Sequence, residues 1–317
     1  MRKAALLYNP DSGGRRRQAE LESALSIFRG GGVEADLLPT NSPQHAEDEA
    51  RRAIALGADT IFACGGDGTI HNIIQVLAGT QVALGVLPMG TANALAHDLG
   101  VPMRIPAAAR SALKARSRRI PLGFITYLDL NGLESARYFI VAAGMGVDAH
   151  LFYKLHAGIK KRLGMSAYYA KAWQLWFSYP MTRFRVRYLD LSGVMNEANA
   201  TELMAVRIRH FGGVIQELAP GASLDRDDLR LVLCRTASRI AYLAYVTRGF
   251  LRRRWRVPGI ELAYSRHASC EYLDASEEQR KVYVEADGEL VGTLPAKIKV
   301  VPDALTVLAP PDRATGN

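Results

Sequence analysis

The chain has 317 residues, of which 49% are hydrophobic and 22% charged, a composition that excludes disordered and fibrous classes. Its 40 Lys and Arg against 31 Asp and Glu give a net charge of +9, which favours anionic partners. No run approaches about 18 uninterrupted apolar residues, so we expect no transmembrane helix. The three cysteines have no metal-binding or disulfide spacing, which indicates a cytoplasmic protein.

The first third of the chain alternates short apolar strands with helical patterns. Strands are predicted at 4–8, 33–38, 60–64 and 82–87, and helices at 17–28, 43–56 and 70–77. Nearly continuous apolar strands that alternate with helices predict a parallel sheet covered on both faces. In such α/β sheets, ligands bind at the carboxyl ends of the strands.

After about Pro121 the pattern changes to short β-rich segments bounded by Gly, Asp, Asn or Ser. They lie at 138–143, 184–189, 203–209, 229–234, 260–263 and 281–286, with helical patterns at 166–178 and 240–253. This texture predicts an antiparallel, sandwich-like second domain. Tail strands at 298–302 and 305–308 are expected to return to the first domain. We therefore expect one domain at 1–122, joined by strands from about 297–309, and a second at 123–296.

Glycines and small polar residues follow three of the predicted strands of the first domain. The three loops are Asn9-Pro10-Asp11-Ser12-Gly13-Gly14, Gly65-Gly66-Asp67-Gly68-Thr69 and Pro88-Met89-Gly90-Thr91-Ala92-Asn93. Glycines let a backbone approach a phosphate chain and offer N–H groups to its oxygens. An acid such as Asp67 is repelled by phosphates unless Mg²⁺ lies between them. One such loop is often an ordinary turn, but three at successive strand ends predict a metal–nucleotide site.

Other nucleotide-binding motifs are absent. The sequence has no G-x-x-x-x-G-K-[ST] and no protein-kinase signature set, which excludes a P-loop NTPase and a protein kinase. The nearest relative of the G-x-G-x-x-G motif, at 144–149, lacks its third glycine and lies in the β-rich half. A Rossmann dinucleotide site is therefore poorly supported.

The three loops and a distant Asp287-Gly288-Glu289 resemble, in order and spacing, the diacylglycerol kinase catalytic-domain family. That family includes the soluble bacterial diacylglycerol and lipid kinases and the sphingosine and ceramide kinases. The resemblance extends from Asn9 to Leu308. It implies a two-domain α/β fold, with a phosphofructokinase- and NAD kinase-like parallel nucleotide domain and a β-sandwich-like domain that binds the lipid. The implied reaction is ATP-dependent phosphorylation of a lipid hydroxyl, with diacylglycerol giving phosphatidic acid as the leading candidate.

The resemblance also implies roles for individual residues. Those that would contact ATP are Asn9, Pro10, Asp11, Ser12, Gly13, Thr40, Gly65, Gly66, Gly68, Thr69 and Thr91. Asp67 would lie near the Mg²⁺ of ATP and share in catalysis. Glu289 matches the general base that takes the proton from the lipid hydroxyl. Its alternative role, a hairpin residue after the Asp287-Gly288 turn, is compatible with the first.

Some bacterial members of the family also carry a structural Mg²⁺ on a loop that resembles x-D-G-L. In this chain Asp227 and the carbonyl of Leu229 match that loop best. The glycine is missing, however, and Arg226 brings an opposing charge. A solvated acidic turn is the alternative interpretation.

Basic residues are interleaved with aromatic ones in the second half. Lys160, Lys161 and Arg162 precede Tyr168, Tyr169, Trp173, Trp176 and Phe177, and Arg252, Arg253, Arg254 and Arg256 surround Trp255 after Phe250. With a lipid substrate, these clusters predict peripheral association with an anionic membrane surface. The aromatic residues at 173–177 could equally form a core-facing stripe. No nucleic-acid-binding motif accompanies the arginines, so we expect no nucleic-acid partner; a homodimer stays open.

Two rival functions remain at this stage. An NAD kinase-like enzyme would share the GGDGT loop at 65–69, but the amino-terminal loop and the distant Asp287-Gly288-Glu289 favour a lipid kinase. A catalytically silent lipid-binding module of the same fold would not be expected to keep Asp67, Thr69 and Glu289 together. ADP release with NAD or with diacylglycerol micelles separates the first rival from the lipid kinase.

Overall fold

The computed structural model describes residues 1–10, 14–147, 181–211, 218–251, 255–274 and 281–311. The chain divides into two compact units. Unit 1 contains Met1–Leu122 and the described residues of His210–Val214 and Val301–Asn317, and unit 2 contains those of Gly123–Arg209 and Ile215–Val300. Two strands, β5 (Arg116–Leu128) and β15 (Glu289–Ala309), run from one unit into the other.

Unit 1 alternates strands and helices along the chain. Its elements are β1 (Lys3–Tyr8), α1 (Gly14–Gly30), β2 (Glu34–Pro39), α2 (Pro43–Ala55), β3 (Thr60–Gly65), α3 (Asp67–Leu77), β4 (Ala83–Pro88), α4 (Ala94–Asp98) and α5 (Ile105–Ala112). The described strands pair in the order β2-β1-β3-β4-β15, and every pairing is parallel. The predicted parallel α/β architecture is confirmed.

The parallel register of unit 1 positions its loops. Each residue of β3 and β4 is buried, as their continuous apolar sequences require of central strands covered on both faces. Tyr8 at the end of β1 pairs with Pro39 and with Cys64, and Gly65 pairs with Pro88. The carboxyl ends of four strands therefore meet at one edge of the sheet, and the loops that leave them are neighbours.

Unit 2 is predominantly antiparallel. Its further elements are β6 (Glu134–Phe139), β7 (Ala142–Gly146), β8 (Phe184–Leu189), β9 (Met195–Ala200), β10 (Glu202–Val206), β11 (Leu229–Cys234), α6 (Arg239–Phe250), β12 (Ile260–Ser265), β13 (His267–Tyr272) and β14 (Tyr283–Ala286). Strands pair in the order β12-β11-β10-β7-β14-β15, and β15 also pairs with β13, which continues to β8 and β9. Phe139, Phe184 and Leu229 lie in the core of this unit. The predicted β-sandwich-like architecture is confirmed.

Four predicted elements differ from those observed. The strand predicted at 138–143 is two strands, because the backbone N–H groups of Ile140 and Val141 are turned toward the Asp287 carboxylate. The two predicted tail strands form the single strand β15. The helix predicted at 240–253 ends at Phe250, and the one predicted at 166–178 lies outside the described residues.

Candidate functional site: a glycine cradle and an acidic hairpin

Two glycine backbones touch at the edge of the unit 1 sheet. A Cβ on Gly90 would lie 2.5 Å from the Cα of Gly66, and a Cβ on Gly66 would lie 3.1 Å from the Cα of Gly90. A side chain at either position would force the loops after β3 and β4 apart. A Cβ on Gly65 would likewise clash with the Thr69 hydroxyl. The glycines thus allow the backbones of the two loops to lie against each other.

Asn93 holds the second of these loops in shape. Its Oδ1 accepts a hydrogen bond from the N–H of Gly90 at 2.8 Å, and its Nδ2 donates to the Gly90 carbonyl at 2.9 Å. Asn93 is buried and adopts a left-handed backbone with φ of 49°, which asparagine tolerates better than most residues. The amide is therefore a local brace for Gly90, a role that the motif alone did not reveal.

Thr40 closes the other side of the edge. Its N–H donates to the Tyr8 carbonyl at 2.7 Å, and its hydroxyl approaches the same carbonyl at 3.2 Å. Thr40 is buried, Asn9 directly after β1 is half-buried and Pro10 is exposed. Thr40 thus fixes the ends of β1 and β2 together beside Asn9.

Asp67 opens the first turn of α3. Gly66 is the residue before the helix, and its carbonyl accepts from the N–H of Thr69 at 3.0 Å. The helix N-terminus offers partial positive charge and free N–H groups, which suit an anion. Asp67 and Thr69 are both half-buried. A carboxylate at this position is the donor type that Mg²⁺ prefers when phosphates supply its other ligands.

Unit 1 brings most of the predicted nucleotide-contacting residues to one sheet edge. These are Asn9, Pro10, Thr40, Gly65, Gly66, Gly68, Thr69 and Thr91, of which Thr91 is exposed. The predicted contacts Asp11, Ser12 and Gly13 lie outside the described residues. Among the residues that the structure does describe, no three His, Cys, Asp or Glu side chains form a metal-binding group.

The acidic hairpin of unit 2 joins β14 to β15. Ala286 pairs with Glu289 across a two-residue turn, in which both Asp287 and Gly288 have positive φ, 51° and 84°. That is the backbone of a type I′ turn, and Asp-Gly is a favoured sequence for it. Glu289 begins β15 and its side chain is exposed. The turn that the sequence predicts here is present.

Asp287 anchors this hairpin to the link between β6 and β7. Its carboxylate accepts from the backbone N–H groups of Ile140, Val141 and Ala142 at distances of 2.8–3.2 Å. Its own N–H donates to the Ala142 carbonyl at 2.8 Å. Asp287 is buried, so its charge is compensated by these N–H groups and it serves to position the turn.

A second acid, Glu285, braces the same turn from inside. Its Oε2 accepts from the N–H of Gly288 at 2.7 Å, and its side chain is buried. Its Oε1 lies over Gly144, where a Cβ would approach it to 2.9 Å. No sequence motif singles out Glu285, which lies two residues before Asp287-Gly288-Glu289. Two buried acids therefore fix the backbone that presents Glu289.

The loop predicted to hold a structural Mg²⁺ contains a protein cation. The guanidinium of the fully buried Arg207 donates to the carbonyls of Leu224, Arg226 and Asp228 at 2.8–3.0 Å. Burial lowers the pKa of Arg207 to about 10, so it stays charged at neutral pH. Arg207 therefore brings a positive charge into the loop in which the ion was predicted.

The acids of this loop do not converge on a metal site either. Arg226 donates two hydrogen bonds, of 2.7 and 2.6 Å, to the Asp228 carboxylate. Asp227 is exposed. Leu229 begins β11, where it pairs with Ser265. The described contacts favour the solvated acidic turn, and a structural Mg²⁺ at Asp227 and Leu229 stays a prediction.

Comparison with known proteins gives a family match over almost the whole chain. Residues 3–125 match the diacylglycerol kinase catalytic domain, and residues 141–309 match the YegS C-terminal NAD kinase beta sandwich-like domain. A diacylglycerol kinase of Bacillus subtilis (strain 168) is 28% identical, covering 99% of this chain and 98% of its own. A diacylglycerol kinase of Staphylococcus aureus is 26% identical, covering 98% of this chain and 93% of its own.

Solved structures agree on the fold. A diacylglycerol kinase from Bacillus anthracis str. Sterne superimposes with a TM-score of 0.71 at 19% identity, covering 98% of this chain and 97% of that chain. The second domain model spans more than half of the 317 residues and the first spans most of the remainder. The chain therefore belongs to the diacylglycerol kinase catalytic-domain family, and it is a kinase.

Proposed function

We propose that this kinase transfers the γ-phosphate of ATP to the hydroxyl of a membrane lipid, with diacylglycerol as the acceptor and phosphatidic acid as the product. The observation that carries the proposal is the closed glycine cradle beside Asp67, in a chain similar to diacylglycerol kinases over its full length. The names of the relatives support diacylglycerol as the acceptor, and the glycine cradle supports binding of the ATP phosphates.

ATP phosphates are proposed to bind at the unit 1 edge. The loops that contain Gly66 and Gly90 would flank the phosphates, and the N-terminus of α3 would add favourable partial charge. Asp67 would hold Mg²⁺, which when bound neutralises charge on the β- and γ-phosphates. Asn93 holds the loop in its conformation by bonding both the N–H and the carbonyl of Gly90, so nucleotide binding would need little further ordering of this loop.

Glu289 is proposed as the group that accepts the proton from the lipid hydroxyl. Phosphoryl transfer passes through a loose transition state, in which modest and late proton removal suffices, so a carboxylate is an adequate base. The side chain of Glu289 is exposed and free to meet a substrate. Asp287 and Glu285 are buried and bonded to backbone N–H groups, so they are positioning residues for Glu289.

The test is a panel of acceptors with ATP that carries a labelled γ-phosphate. Diacylglycerol, monoacylglycerol, ceramide, a sphingoid base and phosphatidylglycerol are offered in mixed micelles, and NAD in solution. We expect label in the lipid fraction with diacylglycerol and none in NAD. Asp67→Asn, folded by circular dichroism, should lose transfer. Label in NADP with no labelled lipid would overturn the proposal and leave the kinase family intact.

A further inference from the structure

Helix α6 of unit 2 exposes its apolar side chains. Ile240 is 81% exposed, and Leu243, Val246 and Leu251 are also exposed. At 100° per residue these four positions fall within about 140° of the helix circumference. Thr247 is the one polar residue exposed between Arg239 and Gly249. An apolar stripe of this kind is normally packed inward, so here it is a surface available for docking.

The opposite face of α6 is tied firmly to the unit. The Tyr242 hydroxyl lies 2.7 Å from that of Thr201, and the Tyr245 hydroxyl donates to the Leu218 carbonyl at 2.5 Å. Both tyrosines are buried, and burial raises the pKa of each phenol far above neutrality. These anchors fix which face of the helix points outward.

The chain around this helix is strongly basic. Residues 235–256 contain seven arginines and no aspartate or glutamate. Of these, Arg256 is exposed, next to the exposed Trp255. Arg252, Arg253 and Arg254, the cluster expected to meet a membrane, lie outside the described residues. Exposed apolar and aromatic side chains beside a segment with an excess of positive charge are typical of an interfacial helix on an anionic bilayer.

A basic cavity adjoins the helix. It has a volume of about 600 Å³, and Arg230, Arg248 and Arg256 are among its lining residues. The Arg248 guanidinium is buried and stacks at 4.2 Å over the ring of Tyr245. Glu261, the one acid of the lining, is paired with Arg235 at 3.2 Å. Three guanidinium groups around one cavity suit a phosphate.

We propose that α6 is a membrane-docking helix: its exposed apolar face sits at the headgroup level of an anionic bilayer, and the arginine cavity beside it takes a lipid phosphate. The positive charge of residues 235–256 favours an anionic bilayer over a second copy of the chain as the partner of this face. A twofold pair of copies through this face would bring together two segments that each carry seven arginines and no acid. An anionic bilayer offsets them directly. The inference rests on the proposed function in that a lipid acceptor requires the kinase to reach a bilayer.

Vesicle sedimentation at low salt tests the apolar half of the surface. Ile240→Ser with Leu243→Ser should weaken binding to phosphatidylglycerol vesicles at least ten-fold, because two large apolar side chains lose their burial. The matched control is Leu133→Ser in the turn after β5, where Leu133 is 66% exposed in the same unit. It should bind as the wild type does.

The charged half is tested in the same assay. Arg256→Gln should weaken binding about five-fold, and Arg110→Gln, an exposed arginine on α5, should not. Phosphatidylcholine vesicles and added salt should both reduce binding of the wild type. Equal binding of the double serine variant and the wild type overturns the proposal. If that variant instead abolishes a concentration-dependent dimer, the face belongs to a second copy.

Kinase activity separates this inference from the proposed function. With a short-chain, monomeric diacylglycerol the docking variants should turn over like the wild type, and with vesicle-borne diacylglycerol they should be slower. If the wild type binds vesicles but phosphorylates no lipid, the proposed function is wrong, whereas the docking surface is still supported. Equal loss with both substrates places α6 in substrate turnover and rejects a docking role.

Discussion

The carboxylate of Asp287 accepts a hydrogen bond from the backbone N–H of Val141 at 2.8 Å, across 146 residues of sequence. The backbone N–H groups of Ile140 and Ala142 also donate to this carboxylate, which therefore binds three consecutive N–H groups. Ile140 and Val141 form the link between β6 and β7, and Ala142 begins β7. A residue that the sequence presents as half of a tight turn thus joins two separate parts of the unit 2 sheet, and the backbone of Glu289 depends on it.

Asp287→Ala is expected to lower the free energy of unfolding by about 2–4 kcal/mol, because three buried N–H groups lose their acceptor. Turnover should fall as well, since the hairpin that presents Glu289 loses its anchor. Asp129→Ala is the matched control: Asp129 also accepts N–H bonds in a hairpin turn, but a more exposed one. Urea unfolding of the two variants makes the comparison. Wild-type stability with lost activity in Asp287→Ala would place Asp287 in the chemistry.

The sequence predicted the fold and the glycine-rich loops because both depend on residues that are close together in the sequence. Continuous apolar strands such as β3 and β4 can only be central strands of a covered sheet, and the glycines after them mark close backbone approach. The sequence could not predict Arg207 as the cation of the 224–229 loop. Its partners are backbone carbonyls 17–21 residues away, and no pattern of side chains records them.

Gly90→Ala should weaken ATP binding at least ten-fold with little loss of secondary structure. The new Cβ would meet the Gly66 backbone at 2.5 Å and the Asn93 side chain at 2.8 Å, so the two loops must separate. Gly30→Ala is the control, because nothing lies within 4 Å of its Cβ position and it ends a helix. Calorimetric titration with ATP and Mg²⁺ measures both. Unchanged affinity in Gly90→Ala would show that the nucleotide does not use this contact.

Removal of divalent metal should leave the melting temperature of the nucleotide-free protein unchanged, because Arg207 already occupies the carbonyls of the 224–229 loop. Arg207→Gln should instead destabilise the protein by about 3 kcal/mol or more, since a buried cation leaves its partners unpaired. Arg183→Gln, at an exposed position of unit 2, is the control. A melting temperature that drops with EDTA and recovers with Mg²⁺ would show that the protein does bind a structural ion.

The turn between β8 and β9 should lose stability in acid. Hydrogen bonds from Ser192, Val194 and Asn196 lower the pKa of Asp190 from 3.8 to about 2. Because the folded-state pKa is depressed, the stabilisation is complete above about pH 4 and is lost as the pH falls through 2. The stability gap between wild type and Asp190→Ala should close over that range, whereas the gap for Leu191→Ala should not change. A gap for Asp190→Ala that is constant from pH 7 to 2 would contradict this.

The most direct test of the account follows label from the γ-phosphate of ATP into diacylglycerol, with wild type and Glu289→Gln measured side by side for turnover and for ATP affinity. The account predicts labelled phosphatidic acid from the wild type. For Glu289→Gln it predicts a fall in kcat of about 10²-fold or more with unchanged ATP affinity, because a general base contributes 10²–10⁴. No labelled lipid from the wild type would contradict the claim of a lipid kinase. A Glu289→Gln variant with normal kcat, or with lost ATP affinity, would contradict the role given to Glu289.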